Sequence, residues 1–276
     1  MGLDELFRLL DVAVEDRVEC ANLLSESTRS ADVDHAIETL TARLGSYSQD
    51  PLGAITQDPL VWLTAFLRLT PILVNWHRRL GVSLEVTRAT FADVGRNITI
   101  HRRAHGGFGL ETWDWLIPHY TGMMFALGRL NYMLHPTKET VDGVMVAGDW
   151  VPGIHIPESG PLTPQAVDDS LVQARAFFST HFPDKPVAAA ACVSWLLDPY
   201  LVEHLPEDTN IVSFVCRFTA LGRPYDDATA ALFFMFRTRD LRKLPDLPRD
   251  STLRRLVLDR ALTGDPWQIG SGYLRL

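Results

Sequence analysis

The segment from 146 to 182 constrains the fold of this chain more than any other stretch. An apolar run over 146–156 is typical of a half-buried strand, and the proline- and glycine-containing stretch 157–164 ends it. Thr163 followed by Pro164 marks a helix start, because a hydroxyl caps free amides and proline fits the first helical position. The segment therefore predicts a strand, a loop and a helix N-terminus at the edge of a sheet, where free backbone N–H groups can hold an anion.

The segments that follow residue 120 predict a mixed sheet. The stretches 121–136 and 146–156 suit two antiparallel strands of a hairpin. The apolar run 187–196 predicts a buried strand, and the intervening helix allows it to run parallel to 146–156, since parallel pairing needs a crossover. A second hairpin is expected at 210–218 and 228–237, and a last strand at the C-terminus.

The first half of the chain is predicted to be helical. Its apolar periodicity suits two helices over 3–45, a strongly apolar helix over 59–80 and another helix over 84–104, followed by a short tryptophan-rich helix. The expected fold class is therefore α+β, with a helical N-terminal domain over 1–120 and a sheet domain over 121–276.

Composition and charge argue against several classes of function. A net charge of −8 disfavours a nucleic-acid partner, and the local basic cluster at 101–105 is interpreted as a solvated helix end. The three cysteines show no disulfide or zinc spacing, and the acidic start does not suit a signal peptide. No apolar run is long enough for a membrane span. We therefore expect a cytoplasmic protein with no metal and no membrane partner.

Five stretches carry a resemblance to a known family. They are LGRLNYM at 127–133, HIPESGPLTP at 155–164, CVSWLLDP at 192–199, TNIVSF at 209–214 and LPRDSTLRR at 247–255. In these stretches the chain resembles a bacterial family with a helical N-acyltransferase N-terminal domain and a GNAT-like C-terminal domain. The resemblance implies a mostly antiparallel mixed sheet whose central parallel strand pair splays apart around acyl-CoA, and it implies acyl transfer from a thioester to an amine.

The loop at 157–163 departs from the pattern of the GNAT superfamily that the chain resembles. Typical members of that superfamily carry the motif Arg/Gln-x-x-Gly-x-Gly/Ala at the start of the helix, where it binds the pyrophosphate of CoA. Here the loop has a single glycine, Gly160, and no cation, and Pro161 has no N–H to offer. Glu158 would repel a pyrophosphate. The expected donor is acyl-CoA or acetyl-CoA bound in an altered way, or a thioester on an acyl carrier protein. The residues expected to contact the donor are Ile156, Ser159, Gly160, Leu162, Thr163, Cys192 and Trp195.

Four side chains are candidates for the chemistry. His155 and Glu158 are candidate general bases toward an amine, against the alternatives of a histidine that only holds the loop and a solvated carboxylate. Ser194 is a candidate donor to the developing oxyanion. By resemblance, Tyr200 is a candidate acid toward the departing thiolate, with a packing role as its alternative.

Two hypotheses remain open at this point. One is an acyltransferase acting on the amine of a small molecule or peptide, and the other is a non-catalytic module that binds a ligand or a protein. An open cleft between the strands of 146–156 and 187–196 would favour the enzyme, whereas a cleft filled by Trp150, Trp195 or Leu162 would favour the module. The sequence leaves the oligomeric state open, with a homodimer as one option.

Overall fold

The computed structural model describes residues 1–25, 31–49, 52 and 55–276. The helices are α1 (Leu3–Leu9), α2 (Arg17–Ser25), α3 (Ala31–Ala42), α4 (Pro59–Arg79), α5 (Leu84–Phe91), α6 (Asp93–His105), α7 (Trp113–Tyr120), α8 (Pro164–His181), α9 (Pro199–His204), α10 (Asn210–Val215), α11 (Ala230–Phe236) and α12 (Thr252–Thr263). The strands are β1 (Met124–Leu127), β2 (Leu130–Pro136), β3 (Trp150–His155), β4 (Ala189–Ser194), β5 (Thr219–Ala220), β6 (Tyr225–Asp226) and β7 (Gln268–Arg275).

The helical half is built around α4. Asp58 caps this helix by accepting a hydrogen bond from Leu60 N at 2.8 Å, and Pro59 takes the first helical position. Trp62 and Phe66 are fully buried in the core of this half. We expected no segment of membrane-spanning length, but α4 reaches it by length and composition. Half of that apolar window is buried inside the protein, as in the core helix of a globular domain.

The helices of this half are shorter and more numerous than expected. Three helices, α1 to α3, occupy the described part of 3–45, and α5 and α6 divide 84–104 between them. Gly95 in α6 donates its N–H to Leu10 O at 2.9 Å, and an added Cβ would collide with the backbone of Asp11. The first turn of α6 therefore packs directly on the backbone that follows α1.

The sheet has the order β1-β2-β3-β4-β7-β5, and β6 also pairs with β7. β3 and β4 are parallel, whereas the other neighbours are antiparallel, so the expected mixed, mostly antiparallel sheet with a central parallel pair is confirmed. The parallel pairing covers two positions and ends at Ile154 opposite Cys192. β3 then continues to His155 and β4 to Ser194 without pairing to each other. The two central strands therefore part at their carboxyl ends.

The first expected strand, 121–136, is itself a hairpin. Its turn lies at Gly128, whose φ of +67° is rarely adopted by L side chains. Ser170 of α8 holds this turn, because its buried hydroxyl donates a hydrogen bond to Leu127 O. The second strand of this hairpin, β2, ends at Pro136. The next strand begins at Trp150 rather than at 146, so a long loop connects β2 to β3.

The prediction of a second hairpin is wrong, because the segments 210–218 and 228–237 contain the helices α10 and α11. Thr209 caps α10 by accepting a hydrogen bond from Val212 N at 3.3 Å. Short apolar runs suit a buried helix as well as a buried strand, so the hydrophobic pattern alone does not separate them. The expected C-terminal strand is confirmed as β7, which pairs along the whole of β4.

Candidate active site

A cavity of about 740 Å³ lies where β3 and β4 part, between the sheet and the helical half. α6 and α7 form one wall, the ends of β3 and β4 with the loop after β3 form a second, and α11 forms a third. The polar side chains of its lining are Asp93, Arg96, Asn97, Thr112, Arg129, His155, Glu158, Ser159, Ser194, Tyr225 and Arg237.

Most of the site residues expected from the sequence line this cavity. His155, Glu158 and Ser194 all do so. Ser194 Oγ accepts a hydrogen bond from Leu196 N at 3.1 Å, which leaves its own hydroxyl proton for a group in the cavity. The expected donor contacts that line the cavity are Ile156, Ser159, Gly160, Leu162 and Trp195.

Three of the expected site residues lie outside the cavity lining. The ring of Tyr200 stacks on His204 with 3.7 Å between centroids. Cys192 is buried in the hydrophobic core, where burial raises the pKa of its thiol to about 12. Thr163 caps α8 by accepting a hydrogen bond from Ala166 N at 3.3 Å. The positions of these three side chains fit packing and capping.

His155 is the last residue of β3 and faces the aromatic ring of Trp115 edge-on, with 4.7 Å between centroids. Its Nε2 is buried and has no hydrogen-bond partner among the described residues. Burial, and to a smaller extent the neighbouring His135 and His119, lowers the pKa of His155 to about 3. The imidazole is therefore neutral near pH 7.

A buried polar network lies beside His155. Asp93, at the start of α6, accepts hydrogen bonds from His119 Nε2 at 2.9 Å and Asn131 Nδ2 at 2.6 Å, and it forms an ion pair with Arg96. Asn131 lies directly opposite His155 in the β2–β3 pairing. Burial lowers the pKa of His119 to about 3, so its neutral ring donates to the carboxylate. The network joins the helical half to the strand that carries His155.

The loop after β3 is held by an arginine that lies far from it in the sequence. Arg129, in the β1–β2 turn, donates to the carbonyl oxygens of Pro157, Gly160 and Pro161 at 3.2, 3.0 and 3.1 Å. Because C=O and N–H point in opposite directions across a trans peptide, the amides that follow Pro157 and Pro161 face away from the guanidinium. Arg129 therefore fixes the shape of the loop at 157–161.

Glu158 is bound by two further arginines. Arg103 Nη2 lies 2.6 Å from Glu158 Oε1, and Arg237 Nη2 lies 2.9 Å from Oε2. Partial burial raises the pKa of Glu158, but the hydrogen bonds from the two guanidinium groups outweigh it and hold the pKa below its ordinary value. The cluster at 101–105 is the end of α6, with residues 103–105 exposed, but its arginines are paired, Arg103 with Glu158 and Arg102 with the buried Asp16.

Two family models match the chain almost end to end. The N-acyltransferase N-terminal domain matches residues 1–122, and the GNAT-like C-terminal domain matches residues 124–274. The chain belongs to this family of acyltransferases.

Solved structures of acyltransferases share the fold. One, in complex with decanoyl-CoA and teicoplanin, is 30% identical with a TM-score of 0.88, and another, with CoA and 10C-teicoplanin, is 29% identical with a TM-score of 0.89. A third, in complex with decanoyl-CoA, is 32% identical with a TM-score of 0.84. Each match covers 99% of this chain and 87% of the other. A search of curated proteins finds no significant match.

Sequence reasoning missed much of the cavity lining. It assigned no site residue to α6, which supplies Asp93 and Arg96, and none to α11, for which a strand is expected. The hint was a group of tryptophans in the helical half that need covered positions, Trp62, Trp76, Trp113 and Trp115, of which Trp115 lines the cavity. Among the described residues, no three His, Cys, Asp or Glu side chains are grouped to hold a metal ion.

Proposed function

We propose that this acyltransferase moves an acyl group from acyl-CoA to an amine by direct attack within a ternary complex. The observation that carries the proposal is His155, which lines the cavity where β3 and β4 part and whose buried Nε2 has no hydrogen-bond partner among the described residues. Its place at the end of a central strand, in the lining of the cavity, is the geometry that a general base requires.

The acyl donor of the proposal is acyl-CoA with an acyl chain of medium length. Relatives that share the fold were solved with decanoyl-CoA or with CoA. The parted central strands supply a slot for the arm of the donor, and apolar side chains supply a wall for its chain. The apolar side chains of this wall are Ile211, Phe233, Phe234, Met235, Leu253 and Ile269.

The acceptor of the proposal is an amine on a small molecule or a peptide. Two relatives were solved with teicoplanin or 10C-teicoplanin, so the same fold admits a bulky acceptor there. In this chain the helical half lines the cavity with Asp93, Arg96 and Asn97, which offers hydrogen bonds to a polar acceptor.

The reaction needs a proton acceptor and a donor to the oxyanion. The amine nitrogen bonds to the thioester carbon, the C–S bond breaks, and CoA leaves as its thiolate. The nitrogen becomes cationic as it attacks, and the proton that it must lose is taken by His155, directly or through water. The hydroxyl of Ser194 donates to the thioester oxygen as that oxygen gains negative charge.

The open cleft favours the enzyme over a non-catalytic module. Trp195 and Leu162 line the cavity without filling it, and Trp150 is not part of its lining. No observation favours the module.

The test is release of free CoA thiol from acyl-CoAs of increasing chain length in the presence of a panel of amines that includes teicoplanin-type acceptors. His155→Asn is expected to lower kcat by about 10²-fold or more, with a melting temperature within about 2 °C of the parent. His35→Asn, a matched change at an exposed helical position, is expected to leave kcat unchanged. Loss of stability in His155→Asn without loss of specific activity would overturn the role of His155.

A further inference from the structure

Three elements that are distant in sequence meet at Glu158. The carboxylate comes from the loop after β3, Arg103 from the last turn of α6, and Arg237 from the residue that ends α11. Two cations thus converge on one loop carboxylate in the lining of the cavity. We refer to these three residues as the mouth cluster, because the side chains of Arg103 and Glu158 are 59% and 44% exposed.

Arg237 is held in place more firmly than an ordinary surface arginine. Its side chain is 13% exposed, and its guanidinium lies over the ring of Phe233 with 5.4 Å from Cζ to the centroid. Its backbone has a φ of +54°, a conformation that residues other than glycine seldom adopt. Its Nε is buried without a hydrogen-bond partner among the described residues. Arg237 therefore has a donor left over after binding Glu158.

The loop itself is poorly equipped to bind a phosphate. It carries no cation of its own, Pro161 and Pro164 have no N–H, and the guanidinium of Arg129 is engaged by three carbonyl oxygens. A phosphate group of a CoA-type donor therefore needs positive charge from elsewhere. A pair of guanidinium groups is well matched to this need, because their planar forks bind phosphate oxygens bidentately.

We propose that Arg103 and Arg237 form the phosphate site for the donor, that Glu158 is the resident anion of this site, and that donor binding displaces Glu158. The inference rests on the proposed use of acyl-CoA. A carboxylate exposed to this degree is held weakly, and a phosphate brings more charge and three acceptor oxygens. Glu158 is thereby a determinant of donor affinity and not a base.

The first test compares two donors, acyl-CoA and an acyl-N-acetylcysteamine thioester, which has no phosphate. Glu158→Gln removes the competing charge and is expected to lower the KM for acyl-CoA about threefold, with kcat unchanged. Arg103→Ala and Arg237→Gln are expected to raise that KM about tenfold. All three variants are expected to use the phosphate-free thioester as the parent does.

Arg242→Ala is the matched control. It removes an exposed arginine five residues after Arg237 that binds Asp240 and lies outside the cavity lining, and it is expected to leave both KM values unchanged. Arg103 is exposed, so its variant keeps the test valid if Arg237→Gln folds poorly.

Calorimetric titration with CoA, dephospho-CoA and pantetheine identifies the phosphate concerned. If Arg103→Ala binds CoA more weakly than the parent does but binds dephospho-CoA equally well, the site holds the 3′-phosphate. If the variant also binds dephospho-CoA more weakly and matches the parent only for pantetheine, the site holds the diphosphate. Loss of kcat in Glu158→Gln with both donors would overturn the inference in favour of a base. Unchanged KM in every variant would also overturn it. Failure of the parent protein to bind or use any acyl-CoA would instead defeat the proposed function.

Discussion

Two acidic side chains line the same cavity and both pair with arginine, yet their surroundings differ. Asp93, at the floor of the site, has a side chain that is 2% exposed and binds Arg96, His119 and Asn131. Glu158, at the mouth, is 44% exposed and binds two arginines. A carboxylate paired with arginine is thus a fixed part of the fold where water is excluded, and it is an exchangeable counter-ion where water enters.

The physical reason is the cost of leaving a charge alone. At the floor, the buried donors of His119 and Asn131 would lose their acceptor, and the partly buried guanidinium of Arg96 would lose its partner. At the mouth, water can replace the partner of the exposed Arg103 at little cost, and Arg237 is the more enclosed of the two arginines. The floor is therefore suited to positioning His155 through Asn131, and the mouth to binding and releasing a charged ligand.

The largest expected difference is in stability. Asp93→Ala is expected to lower the free energy of unfolding by about 3–5 kcal/mol, because it leaves Arg96 uncompensated. Glu158→Gln is expected to change it by no more than about 1 kcal/mol. Urea unfolding of the two variants beside the parent measures both values. Equal losses in the two variants would erase the distinction between floor and mouth.

The second expected difference is in the response to acid. Burial lowers the pKa values of His77, His119 and His155 to about 4, 3 and 3. Below pH of about 6.5 the unfolded chain binds protons that the folded protein excludes, so stability falls as the pH falls, by about 1.4 kcal/mol per pH unit for each histidine. The pKa of Glu158 is lowered in the folded protein. Its contribution to stability is therefore fully present above the pKa of the unfolded chain, about 4.3, and is lost only as the pH falls through the pKa of the folded protein.

The pH dependence of the free energy of unfolding between about pH 6.5 and about pH 5 is therefore expected to come from the buried histidines and not from Glu158 in the mouth cluster. His119→Gln is expected to reduce the slope by the contribution of one proton, and Glu158→Gln to leave it unchanged. A slope that is the same in His119→Gln and the parent would show that His119 does not resist protonation.

A smaller effect is expected at the loop that carries Glu158. Arg129→Lys keeps the charge but replaces a planar fork that binds three carbonyl oxygens. The loosened loop is expected to raise the KM for acyl-CoA about fivefold, or about 1 kcal/mol, with a smaller change in kcat. Steady-state kinetics with acyl-CoA and with a phosphate-free thioester measure it, and an equal rise in KM for both donors would show that Arg129 does not act through phosphate binding.

The smallest expected effect is that of salt. Raising the ionic strength from about 0.05 M to about 0.5 M is expected to raise the KM for acyl-CoA a few-fold, because the mouth cluster is open to screening ions. The stability cost of Asp93→Ala is expected to change less with salt, since the side chain of Asp93 is 2% exposed and that of Arg96 26%. A salt-independent KM would contradict the assignment of phosphate binding to the mouth.

The wall of the site made by β3 and the loop after it could be predicted from sequence because its signals are local. A strand-length apolar run, a proline-rich break and the Thr163–Pro164 start lie within one short segment. The same holds for β4, which lies within the apolar run 187–196. Family resemblance then added the parting of the two central strands, which no periodicity reveals.

The mouth and the floor could not be predicted in this way. Arg103 and Arg237 lie 55 and 79 residues from Glu158, and only the fold brings the three together. α11 was misassigned because its short apolar run suits either helix or strand, so the third wall of the cavity was lost with it. The turn at Gly128, which positions Arg129, was hidden inside what looked like one long strand.

A single helix touches both regions. α6 begins with Asp93 at the floor and carries Arg103 at the mouth, ten residues later, which is about 15 Å along a helix axis. Gly95 packs the first turn of that helix against the chain after α1, so the rod is anchored at its deep end. The length of α6 thus sets the distance between the floor and the mouth of the pocket. A relative whose α6 gained or lost a turn would have its charged rim moved by about 5.4 Å relative to the buried carboxylate.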